Sequence, residues 1–272
     1  MQGDAMIVGL PLERPLRRDA VALVLIPLGL VLGGALAWPL VCLVALRTAV
    51  RGELRLMLLW YGVALGFDPQ ALLIGPFIAA LAIQRRAAPA WVALGGVAAA
   101  AILLARGSIG DLSTPPFLLD LPLARGVPNL WVLLEAVPGM GEIPLIGLAL
   151  VASVGAAGAY TAWFSARRLY PHMMPDAVLL CALAMTTVMP ATDATALVIA
   201  DIVALSLAPT KSSDPARWRM AGLVLGASAL ALLPQPAAPP LAAVALLIAT
   251  LLQARAVLKP AANDNPLMPR TA

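Results

Sequence analysis

Two stretches of this chain lack charged residues for longer than most soluble helices run. No Lys, Arg, Asp or Glu occurs in the 27 positions 20–46 or in the 24 positions 143–166. An uncharged apolar run of about 18 residues or more is long enough to span a bilayer as a helix. Charged residues make up 12% of the 272 residues, against roughly 25% in soluble domains. The sequence therefore predicts a membrane protein.

The apolar segments are continuous runs of Leu, Ala and Val, without the polar–apolar alternation of a membrane β-barrel. In hydrocarbon each backbone polar group must be paired within the protein, and a helix does this inside one segment. Proline and glycine are frequent, at 25 and 21 residues, and membrane helices tolerate both. We expect an all-α fold, a polytopic transmembrane helical bundle of the bacterial inner membrane.

The basic residues predict the orientation of this bundle, because Lys and Arg concentrate in short cytoplasmic loops. Sixteen of the eighteen basic residues fall into seven groups along the chain: Arg14/Arg17/Arg18, Arg47/Arg51/Arg55, Arg85/Arg86, Arg167/Arg168, Lys211/Arg217/Arg219, Arg255/Lys259 and Arg270. If every group is cytoplasmic, the chain crosses outward and back between groups, in about ten short segments with both ends in the cytoplasm. Only Arg106 and Arg125 then lie outside.

The predicted crossings are 20–33, 35–49, 56–67, 71–84, 90–105, 143–164, 173–189, 193–209, 219–233 and 240–253. Several are shorter than the roughly 20 residues of a full span, so re-entrant helices buried by their neighbours are an alternative. A single long helix over 20–46 is another. The predicted organisation is a cytoplasmic segment 1–19, a transmembrane domain 20–253 with an outer loop 106–142, and a disordered cytoplasmic tail 254–272.

Ionisable residues at membrane depth are costly and often functional. Asp68 and Asp193 lie at predicted outer turns, where each is either a site or a polar turn residue near water. Asp201 lies deeper and needs a partner, such as Thr195, Ser206 or a group on another helix. Its hydrogen bond is either structural or part of a site.

Other classes of chemistry lack support in the sequence. A single histidine, His172, gives neither a zinc site nor a histidine-based nucleophile system. Cys42 and Cys181 lie in apolar blocks, which indicates buried small side chains. The arginines alternate with membrane segments, so we expect contacts with membrane lipid and not with nucleic acid.

Three stretches resemble the GT-C superfamily of integral-membrane glycosyltransferases. Residues 62–76 are similar to a helix end followed by an apolar run and proline, residues 127–131 to a Pro-Asn-Leu-Trp stretch, and residues 190–208 to a motif-bearing turn and its helix. The order matches over roughly residues 15–255. The resemblance implies the C-terminal half of a mannosyltransferase-like enzyme with degenerate motifs, because residues 192–196 replace the family's Met-His-Glu-Arg-Tyr.

The resemblance implies sugar transfer from a polyprenyl-phosphate donor at the periplasmic face. Such transfer needs a carboxylate base, and a divalent cation or a basic side chain to bear the leaving phosphate's charge. The catalytic candidates are Asp111, Asp120 and Asp193. The candidates for binding substrate or lipid are Asp68, Gln70, Arg106, Arg125, Asn129, Trp131 and Asp201. We expect Trp131 at headgroup depth, on a helix lying in the interface.

Three functional hypotheses follow. The first is a GT-C-type glycosyltransferase, or half of one, that transfers or binds a polyprenyl-linked sugar. The second is a catalytically inactive scaffold or accessory subunit that binds other membrane-protein subunits. The degenerate motifs favour this second hypothesis, whereas the resemblance itself favours the first. The third is a small-solute transporter built from paired short helices.

Overall fold

The computed structural model describes residues 37–109, 128–135, 137, 145–167, 169–190, 192, 195–211, 215–233, 235 and 237–258. Every regular element among them is helical. The α-helices are α1 (Ala37–Arg51), α2 (Leu54–Phe67), α3 (Gly75–Gln84), α4 (Pro89–Ile109), α5 (Leu130–Glu135), α6 (Leu145–Ala166), α7 (Met174–Val188), α8 (Ala196–Leu207), α9 (Pro215–Ala231) and α10 (Ala238–Leu258). Short 3₁₀ helices span Pro69–Ile74 and Ala208–Lys211.

The all-α prediction is confirmed for the described residues, and helices α1–α4 and α6–α10 coincide with nine of the ten predicted segments. The tenth segment, 20–33, lies outside the described residues. The first 17 positions of the alternative single helix, 20–36, also lie outside them, so neither alternative is tested. Two boundaries differ. Helix α4 continues to Ile109, into the predicted outer loop, and α10 continues to Leu258, into the predicted disordered tail.

Prolines set several helix boundaries. Helix α2 ends at Phe67, since Asp68 is extended (φ −154°, ψ 131°) before Pro69, and residues preceding proline avoid helical conformation. Pro175 occupies the first turn of α7, where its missing N–H leaves no bond unmade. Met189, extended before Pro190, ends that helix. The sequence therefore cuts the apolar runs into short helices.

Helix α7 forms the centre of the bundle. Eleven of its fifteen residues are buried, and it packs against α3, α5, α6, α8 and α10. Both cysteines are buried, as the sequence predicts, and the Cys181 thiol donates to the carbonyl of Leu73 at 3.3 Å. A helix of 15 residues, shorter than a full membrane span, thus lies inside other helices.

Four helix connections meet at one end of the bundle, called the basic end below. The turn at Gly52 lies beside the Arg85 guanidinium, and Arg55 at the start of α2 stacks on Trp91 at the start of α4. The Gln84 side chain at the end of α3 donates to the backbone carbonyl of Arg167, which follows α6. At the start of α9, Arg217 pairs with Asp176 of α7 at 3.3 Å. Basic groups that are separate in sequence are therefore neighbours in space.

Two described helices are long and apolar enough to cross a membrane: α6, with 22 residues, and α10, with 21. Only 22% and 28% of their most apolar windows are buried inside the protein. Most of their apolar side chains therefore face outward, as at Val151 and Val154. Soluble monomers rarely expose large continuous apolar surface. Length, composition and exposure together indicate membrane association.

Candidate functional site

A groove of about 1080 Å³ runs between α2, α3 and α4 on one side and α6 and α7 on the other. This volume lies slightly above the roughly 300–1,000 Å³ of small-molecule sites. Helix α6 supplies one continuous face of lining residues, at helical spacing: Ile146, Leu150, Ser153, Val154, Ala157, Gly158, Thr161, Ala162 and Ser165. The opposite wall includes Leu58, Leu65, Ile78, Ile83 and Val92.

The groove wall is almost purely hydrocarbon in character. Three of the four lining hydroxyls are bonded to backbone carbonyls: Ser153 donates its one proton to Ala149 or Val188, Thr161 donates to Pro76, and Ser165 to Ala162. The fourth hydroxyl belongs to Tyr61. A hydroxyl bonded to a backbone carbonyl leaves little donor capacity for a ligand. The groove therefore matches an apolar occupant better than a sugar or another polar solute.

The groove is long and open at its side. From Ile146 to Ser165 the α6 face extends about 28 Å at 1.5 Å per residue, close to the ~30 Å hydrocarbon thickness of a bilayer. Val92 and Val154, on opposite walls, are 52% and 72% exposed. An occupant can thus enter laterally from the surrounding medium.

The outer-turn candidates Asp68 and Gln70 form a local cap. The Asp68 carboxylate accepts a hydrogen bond from the Gln70 backbone N–H at 2.8 Å, at the start of the 3₁₀ helix. This is the usual role of aspartate at a helix start. The Gln70 Oε1 atom is buried without a hydrogen-bond partner in the part of the chain that is described. Neither residue lines the groove.

Asn129 directly precedes the short helix α5, Trp131 lies within it, and both are buried. The Asn129 side chain accepts from the backbone N–H of Val132 at 3.2 Å and caps the helix. The Trp131 indole N–H donates at 2.7 Å to the carbonyl of Val188, which also accepts from Ser153. Trp131 is 1% exposed, so its ring faces the protein interior, and its depth in a membrane stays a prediction. It closes the end of α7, whose last carbonyls lack helical partners.

Asp201 meets a group on another helix, one of the alternatives that the sequence leaves open. The Ser228 hydroxyl of α9 donates to its carboxylate at 2.9 Å. The other two alternatives are engaged elsewhere: Ser206 donates to Val203, and Thr195 accepts from the Trp38 indole. Asp201 therefore links α8 to α9, away from the groove.

Removing this link is expected to have a small effect. Ser228→Ala should lower the free energy of unfolding by about 0.6 kcal/mol, the average for interhelical hydrogen bonds in membranes. Asp201→Asn keeps an acceptor and should cost less than Ser228→Ala. A double-mutant cycle of Asp201→Ala and Ser228→Ala, each of which removes the bond, is measured by unfolding in detergent micelles and checks the coupling. Additive effects would contradict the link.

The catalytic candidates Asp111, Asp120 and Asp193 lie outside the described residues, as does Arg125. Arg106 falls within the last turns of α4, in a stretch whose side chains are not described. The described candidates are dispersed over three places: Asp68 with Gln70, Asn129 with Trp131, and Asp201. The structure does not bring them together into one site.

Sequence reasoning missed the groove. Its α6 wall could have been anticipated from the small residues at positions 153, 157, 158, 161, 162 and 165, which share one helical face. The opposite wall could not, because it depends on how α2, α3 and α4 pack.

Comparisons with protein-family models, with characterised proteins and with solved structures find no match to this chain. The class of protein therefore rests on its own features: an all-helical, membrane-associated bundle with a long apolar groove.

Proposed function

We propose that this chain is a multi-pass protein of the bacterial inner membrane that binds the hydrocarbon chain of a long-chain lipid in the groove. The observation that carries the proposal is the groove itself, which is apolar along a length close to that of a bilayer core. A lipid chain needs no polar recognition and enters such a groove from the side.

The placement of charge supports the multi-pass topology. Arg55, Arg85, Arg167 and Arg217 lie at one end of the bundle, although they come from four separate groups in the sequence. Under the positive-inside rule this end faces the cytoplasm. Helices shorter than a full span, such as α3 and α8, are then covered by their neighbours, as irregular elements in membranes must be.

The resemblance to GT-C glycosyltransferases supports a polyprenyl-linked lipid, with or without a sugar, as the occupant. Transfer of that sugar would use Asp111, Asp120 or Asp193 as the base at the opposite, periplasmic end. Binding of the lipid chain does not depend on this step. A scaffold that binds another subunit in the same groove is the competing function.

A photoactivatable polyprenyl phosphate tests the proposal. The full chain in nanodiscs is labelled, and the labelled peptides are mapped by mass spectrometry. We expect labels on α6 and α4. Gly158 lines the groove and has no atom within 4 Å of the position of an added Cβ. Gly158→Leu therefore places a side chain in the groove and should lower labelling about tenfold, equivalent to ~1.4 kcal/mol.

Gly155→Leu is the matched control on the same helix. Its added Cβ also meets open space, but Gly155 does not line the groove, so labelling should match the wild type. Equal labelling of the two variants would contradict lipid binding in the groove. Co-purification of another protein in fixed stoichiometry, with crosslinks to the α6 face, would support the scaffold function in place of lipid binding.

A further inference from the structure

We infer that the groove selects a prenyl quinone, whose carbonyl oxygen accepts a hydrogen bond from the Tyr61 hydroxyl partway along the groove. This rests on the proposed function, because it names the class of lipid that occupies the same groove. The isoprenoid tail of such a lipid is the hydrocarbon chain that the groove binds, and the quinone ring carries its polar atoms.

Tyr61 carries the one lining hydroxyl that has no hydrogen bond to a described residue. Its oxygen is not sealed inside the protein, since the buried side-chain oxygens without a partner in the described chain belong to Gln70 and Thr192. The Tyr61 hydroxyl is therefore accessible at the groove wall. An O–H group in hydrocarbon without an acceptor is costly. The wall thus favours an occupant that brings an oxygen acceptor to this place.

Contacts place this hydroxyl partway along the groove. A Cβ added to Gly75, which also lines the groove, would lie 2.7 Å from the Tyr61 oxygen. Helix α3 begins at Gly75 and runs about 14 Å from there to the basic end. On the opposite wall the Thr161 hydroxyl donates to the carbonyl of Pro76, and the lining continues for about 22 Å along α6 from Thr161 to Ile146. A long apolar stretch therefore remains for a tail.

The walls around the hydroxyl carry small side chains. Gly75 and Ala79 of α3, with Ala157 and Gly158 of α6, line the groove within about one helical turn of Gly75 and Thr161. No atom lies within 4 Å of a Cβ added at Gly158. Long side chains are replaced by small ones at this level, so a ring wider than a lipid chain can reach the hydroxyl.

The acceptor that suits this wall is uncharged. No charged side chain is among the described residues that line the groove, and an anion buried in hydrocarbon without a cation is costly. The ester carbonyl of a phospholipid is only a few bonds from its phosphate, so bonding it to Tyr61 would draw that phosphate into the apolar groove. A quinone carbonyl has no charged neighbour, which favours a quinone over an ester.

Competition for the groove tests the assignment, with photoactivatable polyprenyl phosphate as the probe. The full chain in nanodiscs of diester phosphatidylcholine is labelled in the presence of an unlabelled prenyl quinone, or of a benzene ring that carries the same prenyl tail and no oxygen. The readout is the concentration of each competitor that halves the labelling of α6. On the wild type the quinone should compete about fivefold better than the benzene, the net value of one hydrogen bond.

Tyr61→Phe removes the hydroxyl alone and should abolish this fivefold advantage, while competition by the benzene stays unchanged. The variant should unfold at the wild-type denaturant midpoint, because no described residue bonds that hydroxyl. Tyr160→Phe is the matched control. Its hydroxyl donates to the carbonyl of Ala177 at 2.7 Å, and Tyr160 does not line the groove, so this variant should be less stable and keep the fivefold advantage.

Equal competition by quinone and benzene on the wild type, or an advantage that survives Tyr61→Phe, would overturn the quinone site and leave lipid binding in the groove intact. Absence of α6 labelling by the probe alone would overturn the proposed function and this site with it. In nanodiscs of diether phosphatidylcholine, which has no ester carbonyl, quinone competition should be unchanged. Competition several times stronger there would assign the Tyr61 hydroxyl to a phospholipid ester and overturn the quinone.

Discussion

Replacing Gly62 or Gly95 by alanine is expected to destabilise the bundle by about 3 kcal/mol, the upper end of the usual cost of overpacking. Helices α2 and α4 contact each other through these glycines. A Cβ on Gly62 would overlap the backbone carbonyl of Gly95, and one on Gly95 would lie 2.7 Å from the carbonyl oxygen of Leu58. Backbone atoms cannot rotate away as a side-chain end can, so the helices must separate.

The separation should also open the α2–α4 wall of the groove. Small residues four apart, Gly62 with Gly66 and Gly95 with Ala99, are a common means of close helix packing in membranes. The measurement is the free energy of unfolding in detergent, together with lipid labelling in the groove. We expect both to fall together.

Gly96→Ala is the neighbouring control. No atom lies within 4 Å of a Cβ added at Gly96, so the change should be neutral or stabilising by up to about 1 kcal/mol, because alanine favours helix over glycine. If Gly95→Ala is tolerated as well as Gly96→Ala, the close contact between α2 and α4 is wrong.

The positions of the helices were predictable from the sequence, because charge and proline interrupt the apolar runs at the places where helices end. Asp68-Pro69 ends α2, and Met189-Pro190 ends α7. Both helix ends are local effects, because the residue before a proline avoids the helical conformation. The gathering of arginines at one end was also implicit, since it follows from alternating helix directions.

The groove was less predictable, because it depends on distant residues. Gly62 contacts Gly95, and Thr161 contacts Pro76. The residues next to each position in the sequence do not predict either contact. The functional roles of the polar residues were difficult to predict for a different reason. Asp68, Asn129 and Asp201 are each noticeable in an apolar sequence, yet in the structure each makes a structural hydrogen bond. In a membrane protein a polar residue is conspicuous whether it caps a helix or binds a ligand.

Trp131→Ala is expected to lower the free energy of unfolding by about 3 kcal/mol. This value is the low end of the range for Trp→Ala in the cores of water-soluble proteins. In a membrane, the free-energy cost of the cavity remains, but the cost of exposing apolar surface to water is partly absent. The side chain is fully enclosed, and its N–H bonds the last carbonyl of α7, at Val188. The measurement is equilibrium unfolding in mixed micelles.

Two further variants separate the ring from its hydrogen bond. Trp131→Phe keeps most of the ring and leaves Val188 with Ser153 as its donor, so it should cost about 1 kcal/mol, the net value of one hydrogen bond. Trp218→Ala removes a tryptophan that is 52% exposed on α9 and should cost less than about 0.5 kcal/mol. If Trp131→Ala costs no more than Trp218→Ala, then α5 does not close the end of α7, and Trp131 is instead the interfacial ring that the sequence alone predicts.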